Sequence, residues 1–327
     1  MKLLAARPST LALAIVIAVM LLLVRSPVWI DTGIIIGIQA LIALSVGLCY
    51  GQAGILSLAQ ASFAAVGAYV SGALCLHAGW HPGATLPLAI AVPALLGWLL
   101  TYLVIRMEPL AVALATIAIA SVVEIVLRNW DAVTGGYIGL VGIAPVFEQA
   151  SPHAYLALTW LVVWLVVWLY ENLMRTRFGR ALNTAHHDRA RALADGVPVA
   201  PLLCAAFALS AGIAGAAGWL YAHHLGYLGP NDLGARLSIA VVLMAVVGGV
   251  GYVLGPVVGA IFLGVVLHVL PAEENQGLFL GIVLIAVLIF ARKGLFGLRP
   301  PAGVLDAVAR RLPWAGAGGA PGAKEGL

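Results

Sequence analysis

Charge is scarce in this chain. Asp, Glu, Lys and Arg together make up 9% of 327 residues, with only 13 acids among them. Soluble domains carry about a quarter charged residues, so a water-facing globule is excluded. Cysteine is equally thin: Cys49, Cys75 and Cys204 each sit in an apolar run, and none has CxxC spacing. That excludes a disulfide framework and a thiolate metal site, and reads as packed thiols. Reaction signatures are missing too. There is no GxxxxGK[ST] loop to cradle phosphates, no HExxH and no GxSxG. The residues give no support to an enzymatic role, and no metal or cofactor is expected on this chain. If its work uses ATP, another polypeptide must hydrolyse it. The net charge of +4 follows a membrane pattern and does not indicate a nucleic-acid partner.

Apolar residues dominate instead. They form 63% of the sequence, and the mean hydropathy is +1.06. A crossing helix needs about 20 largely apolar residues. The spacing predicts ten spans, near 9–25, 31–50, 61–78, 84–105, 109–128, 153–171, 201–224, 237–251, 255–271 and 277–292. Barrel strands would alternate polar and apolar residues, and none of these runs does. The expected fold class is therefore an all-α polytopic membrane protein with glycine-rich, interrupted helices. An even count places both termini on one side. Only Arg25, Arg128 and Arg236 then fall on the opposite side, so the positive-inside rule predicts cytoplasmic termini. Lys2 and Arg7 before an apolar run resemble a signal peptide, but Arg25-Ser26-Pro27 is a poor cleavage site, so a retained first helix is expected. Residues 1–299 form the membrane domain. The Pro-, Gly- and Ala-rich stretch 300–327 is a flexible cytoplasmic tail.

Several segments carry polar groups at membrane depth. The string 51–62 is uncharged but holds Gln52, Ser57, Gln60 and Ser62, which could replace water around a polar solute or bond neighbouring helices. The turn Asn129-Trp130-Asp131-Ala132-Val133-Thr134-Gly135-Gly136 falls on the outer side. Thr134 and Gly135 there are candidates for the path, beside the reading of an ordinary interfacial turn. Gly248 and Gly249 head a glycine cluster that either packs helices closely or breaks them beside a water-filled path. Glu124 is the one acid in the interior of an expected span, Asp31 and Glu171 standing at the ends of theirs. Its i,i+4 spacing to Arg128 suits an ion pair, while a proton-relay role would make the chain an ion-coupled secondary transporter. His223 and His224 are expected at the membrane boundary.

The region 175–198 is the conspicuous charged gap. Leu182, Ala185, Ala192 and Leu193 fall near one helical face and charges cover the rest, with Gly196 and Pro198 as a helix stop. A short amphipathic helix of this kind suits a groove on a partner, or a bed of anionic lipid.

Taken in order, several pieces resemble the LivM type of permease subunit from branched-chain amino acid ABC importers. They are Gly54-Ile55-Leu56-Ser57-Leu58-Ala59-Gln60-Ala61-Ser62-Phe63; Asn129-Trp130 with Thr134-Gly135-Gly136; Phe178-Gly179-Arg180-Ala181-Leu182; Ala192-Leu193-Ala194-Asp195-Gly196; and Gly248-Gly249-Val250-Gly251 with Gly255-Pro256. The resemblance implies a bacterial inner-membrane subunit. It implies as partners a second, LivH-type permease, two ATPase subunits that hold the ATP, and a periplasmic solute-binding protein. It also implies that Arg180, Ala181, Asp188, Arg189, Ala192, Leu193 and Gly196 belong to a loop docking on the ATPase. Branched-chain or related amino acids are the implied solutes, with urea or short amides as the alternative. The family pattern favours Gly-Gln-Leu-Ser-Leu-Gly-His early on, whereas Ile55, Ala59 and Gln60 stand here.

Overall fold

The computed structural model describes residues 26–104, 107–147 and 151–269, with Leu13, Ala14, Ile17, Gly281, Gly294 and Leu295. The spans expected near 9–25 and 277–292, Arg106 and the tail 300–327 lie outside the described residues. In chain order the elements are α1 (Pro27–Val46, continued by a π-helical stretch Gly47–Gln52), α2 (Gln60–Ala78), α3 (Pro82–Val104), α4 (Pro109–Asn129), α5 (Asp131–Thr134), β1 (Leu140–Val141), α6 (Pro152–Arg175), α7 (Arg177–His187), α8 (Arg189–Ala194), α9 (Val199–Leu225), β2 (Tyr227–Leu228), α10 (Ala235–Gly248) and α11 (Gly255–Val269). Every expected span within the described residues coincides with a helix to within about a turn.

Local sequence explains the boundaries. Proline opens α1, α4 and α6, where its missing N–H costs nothing. Gly79 and Gly226, at φ +65° each, close α2 and α9 in the left-handed conformation that glycine adopts without penalty. Six of the helices are long and apolar enough to cross a membrane, and α10 and α11 are shorter apolar helices. One departure from the all-helix expectation is small: β1 and β2 form a two-residue antiparallel ladder pairing Leu140 with Leu228.

The helices alternate in direction between two ends. At one end His186 of α7 meets Gln52 at the close of α1. At the other, His224 of α9 meets Asp31 near the start of α1, and His268 of α11 meets Thr32. Helices α1 and α9 form the centre, burying Leu41, Leu44, Phe207 and Leu220 almost completely. By contrast α3 and α4 expose Leu99, Leu103, Leu110 and Leu114, as hydrocarbon requires of a lipid-facing surface. Glycine lets the central helices touch. A side chain at Gly218 would run into the Ala64 carbonyl of α2, and one at Gly215 into the Ala89 carbonyl of α3, so the Gly212, Gly215 and Gly218 stripe is used for packing.

Candidate coupling surface and transport path

Helices α7 and α8 occupy one end of the bundle. Thr176 caps α7, its Oγ1 accepting from Gly179 N at 3.5 Å, and Asp188 caps α8, its Oδ1 accepting from Arg191 N at 2.9 Å. Arg180 donates to the Arg175 carbonyl at 2.9 Å. Leu182, Ala185 and Ala192 are buried against Ala53, Val199, Leu202, Leu203 and Ala206, with Ala181 half-buried beside them. The expectation that Leu193 shares this face is corrected: it is 59% exposed. The sharp break at Asp188 (φ −149°) rotates α8 out of register with α7. Gly196 takes φ +76° and ends the segment in open space. Arg180, Asp188 and Arg189 are all exposed on the same end.

The chain between α1 and α2 is broken. After the π-helical stretch, residues 53–59 run without helix before Gln60 restarts it. The freed backbone groups find partners. Leu58 N donates to Thr116 Oγ1 at 3.0 Å and Ala61 N to Ser238 Oγ at 3.1 Å. Ser57 Oγ accepts from Ala59 N at 3.3 Å. Thr116 lies two turns into α4, roughly 10 Å from its start, so the break reaches well into the bundle. Gln60 is fully buried, its Oε1 accepting from Ser45 Oγ at 3.1 Å, and Ser45 O accepts from Ser210 Oγ at 2.8 Å. Two buried atoms here, Gln60 Nε2 and Ser62 Oγ, have no hydrogen-bond partner among the described residues. Below the break is a cavity of about 240 Å³ lined by Ala53–Leu56 of the break, Thr101, Val112, His186 and Arg189. Gln52 stands at its edge, and its carbonyl accepts from His186 Nδ1 at 3.1 Å.

The remaining sequence candidates lie elsewhere. Thr134 is buried at the far end, and its Oγ1 lies 2.7 Å from both the Leu127 and Trp130 carbonyls. Gly135, at φ +70°, lets the Gly139 carbonyl approach. Gly248 admits the Gly255 carbonyl between α10 and α11, and Gly249 turns the chain at φ +107°. The four are separated from Ser57 and Gln60, in two groups at opposite ends.

Two polar clusters at the far end complete the picture. His223, two residues before the end of α9, is 1% exposed and packed inside the protein. It donates from Nδ1 to the Ala144 carbonyl at 2.6 Å, and Nε2 lies 2.7 Å from Ser71 Oγ, itself 2.6 Å from Thr85 Oγ1. Glu124 makes the ion pair that its spacing suggested, 2.9 Å from Arg128, which also donates to Asn231 at 2.6 Å. No three His, Cys, Asp or Glu side chains among the described residues stand close enough to hold a metal. Sequence reasoning gave no role to Ser45, Thr116, Ser210 or Ser238. Each is a lone hydroxyl in an apolar helix, with no spacing that marks it out.

These features define a multi-pass helical membrane protein, with an amphipathic helix pair at one end and a broken, polar-lined helix behind it. The family model for the permease component of the branched-chain amino acid transport system matches residues 29–288, and the chain belongs to that family. The high-affinity branched-chain amino acid transport system permease protein LivM of Salmonella typhimurium is 26% identical over 81% of this chain and 69% of its own length. A probable branched-chain amino acid transport permease protein LivH of Methanocaldococcus jannaschii is 26% identical over 79% of this chain and 88% of its own. The autoinducer 2 import system permease protein LsrC of Photorhabdus laumondii is 32% identical over 45% of each. No solved structure matches this chain.

Proposed function

We propose that the chain is the LivM-type permease subunit of an ATP-driven importer for branched-chain or related amino acids, in the bacterial inner membrane. The observation that carries the reading is the seating of α7 and α8. Their apolar face is packed on α9 and the end of α1, while Arg180, Asp188, Arg189 and Leu193 are left outward. A partner that moves this pair moves the broken helix directly, through His186 and Gln52. Five of the arginines, from Arg175 to Arg191, crowd this end, which supports a cytoplasmic orientation, ten spans and inward termini. The partners are a LivH-type permease, two ATPase subunits that bind the nucleotide, and a periplasmic solute-binding protein.

Transport then works by alternating access. Closure of the ATPases shifts the balance between two arrangements of the helices around the break. Ser57, Gln60 and Ser62 provide the polar lining, and the cavity beside His186 and Arg189 provides the inner vestibule. Vesicles holding all the subunits, loaded with ATP, should accumulate labelled leucine, and a pH gradient without ATP should not replace the nucleotide. Uptake that survives deletion of residues 189–196 would overturn the coupling role.

A further inference from the structure

Helix α9 runs through the centre of the bundle and is buried along most of its length. Between Leu202 and His224, Leu209 alone is strongly exposed, at 45%. The cause is a slot of about 360 Å³ that α3 and α6 leave between them over α9. Its walls include Ile90 and Ala94 of α3, Leu165 and Leu169 of α6, and Leu209 and Ile213 of α9. Only the Trp219 indole N–H is polar among the slot's side chains, and it is already donated to the Pro82 carbonyl at 3.0 Å. Ile90, Leu165 and Leu169 are themselves exposed. The slot is therefore continuous with the lipid-facing surface and opens sideways into hydrocarbon.

Shape decides what can fill it. The lining runs along α9 from Leu209 to Leu220, about 17 Å at the helical rise. That is close to one leaflet, half of the roughly 30 Å hydrocarbon core. Spread over that length, the volume gives a mean cross-section of about 20 Å². A transmembrane helix of a partner, about 10 Å across, needs roughly 80 Å² and cannot enter. A single hydrocarbon chain, about 5 Å across at van der Waals contact, matches. Water has no polar partner there, and an empty slot would forfeit the dispersion contacts of every side chain around it.

We propose that this slot is a resident site for one acyl chain of a membrane phospholipid. The lining starts at Leu86 and Leu220, near the end where His224 meets Asp31, so the lipid belongs to the leaflet opposite α7 and α8. The chain takes the place of a missing helix contact: it touches α3 on one side, α6 on the other and α9 beneath. The headgroup is no part of the site. The inference needs only a chain embedded in lipid, and stands apart from the transport reading above.

The test uses the full chain, with its copurifying subunits, in nanodiscs of phosphatidylglycerol that carries a photoreactive diazirine halfway along one palmitoyl chain. Irradiation followed by peptide mapping reads which residues the chain touches. Leu99 on the outside of α3 is 50% exposed, much as Leu209 is, so bulk lipid alone would label the two alike. A second sample is diluted into lipid-free detergent before irradiation. Labelling at Leu99 should then fall at least about tenfold more than at Leu209 and Ile213, because bulk lipid leaves and a resident chain stays. An equal fall at all three would overturn the site. Ile213→Trp puts an indole in the slot; it should abolish the retained label at Leu209 and leave Leu99 in the nanodisc unchanged. If that variant does not fold, Ala208→Phe fills the inner end and decides in its place. Retention of the label behind a filled slot would overturn the site too. So would a nanodisc sample in which Leu99 is labelled and Leu209 is not, since a protein surface would then be seated over the slot.

Discussion

His186 donates from Nδ1 to the carbonyl of Gln52 at 3.1 Å, bridging two elements 134 residues apart in sequence. The bond links the helix pair at the charged end to the final turn before the break. Replacing His186 with Ala removes one tertiary hydrogen bond, worth about 1 kcal/mol of stability. The larger expected effect is on coupling. In reconstituted vesicles, ATP turnover should persist while leucine uptake falls several-fold; uptake and turnover declining together would contradict the link.

Leu193 should behave differently. It is 59% exposed, so Leu193→Asp should change the melting temperature of the isolated permease little, within about 0.5 kcal/mol. Co-purification with the ATPase subunits should drop sharply, because a buried charge opposes docking. Unchanged recovery of the ATPases would remove Leu193 from the docking surface.

Gly218 packs against the Ala64 backbone. Backbone cannot swing aside as a side chain can, so Gly218→Ala should destabilise the bundle by about 1–3 kcal/mol. Thermal unfolding in detergent would show it as a lowered midpoint. Gly251→Ala is a fitting control, since a Cβ there meets nothing within 4 Å.

Gly54 takes φ +71° beside the His186 ring. An alanine would have space but would be strained in the left-handed region, at a cost of about 1 kcal/mol. The strain falls on the break, so uptake should suffer more than stability. A substitution that lowered the melting point and left uptake intact would argue against a working role for this turn.

Ser71 joins α2 to His223 of α9 and Thr85 of α3. Ser71→Ala leaves the buried imidazole Nε2 without that partner, which should cost about 1–3 kcal/mol. Denaturation in detergent would measure it, and His223→Ala should cost less in that background than in the unmodified chain, because the bond the two share is already gone.

The membrane character, the helix positions and the charged segment 175–198 were legible in the sequence because each depends on local composition. Twenty apolar residues must be helical in hydrocarbon whatever surrounds them, and Gly196 with Pro198 stops a helix on its own. The ion pair of Glu124 and Arg128 was also legible, since four residues bring side chains together on any helix. The partners of the break were not. Thr116 and Ser238 meet Leu58 and Ala61 across 58 and 177 residues of sequence, and a single hydroxyl in an apolar run looks the same whether it bonds its own helix or another. Likewise, Leu193 and Ala192 are neighbours in sequence, and only the turn at Asp188 decided that one is buried and the other exposed. Local composition determined which segments enter the membrane. Which polar groups face one another inside it was decided by how the glycines let those helices cross.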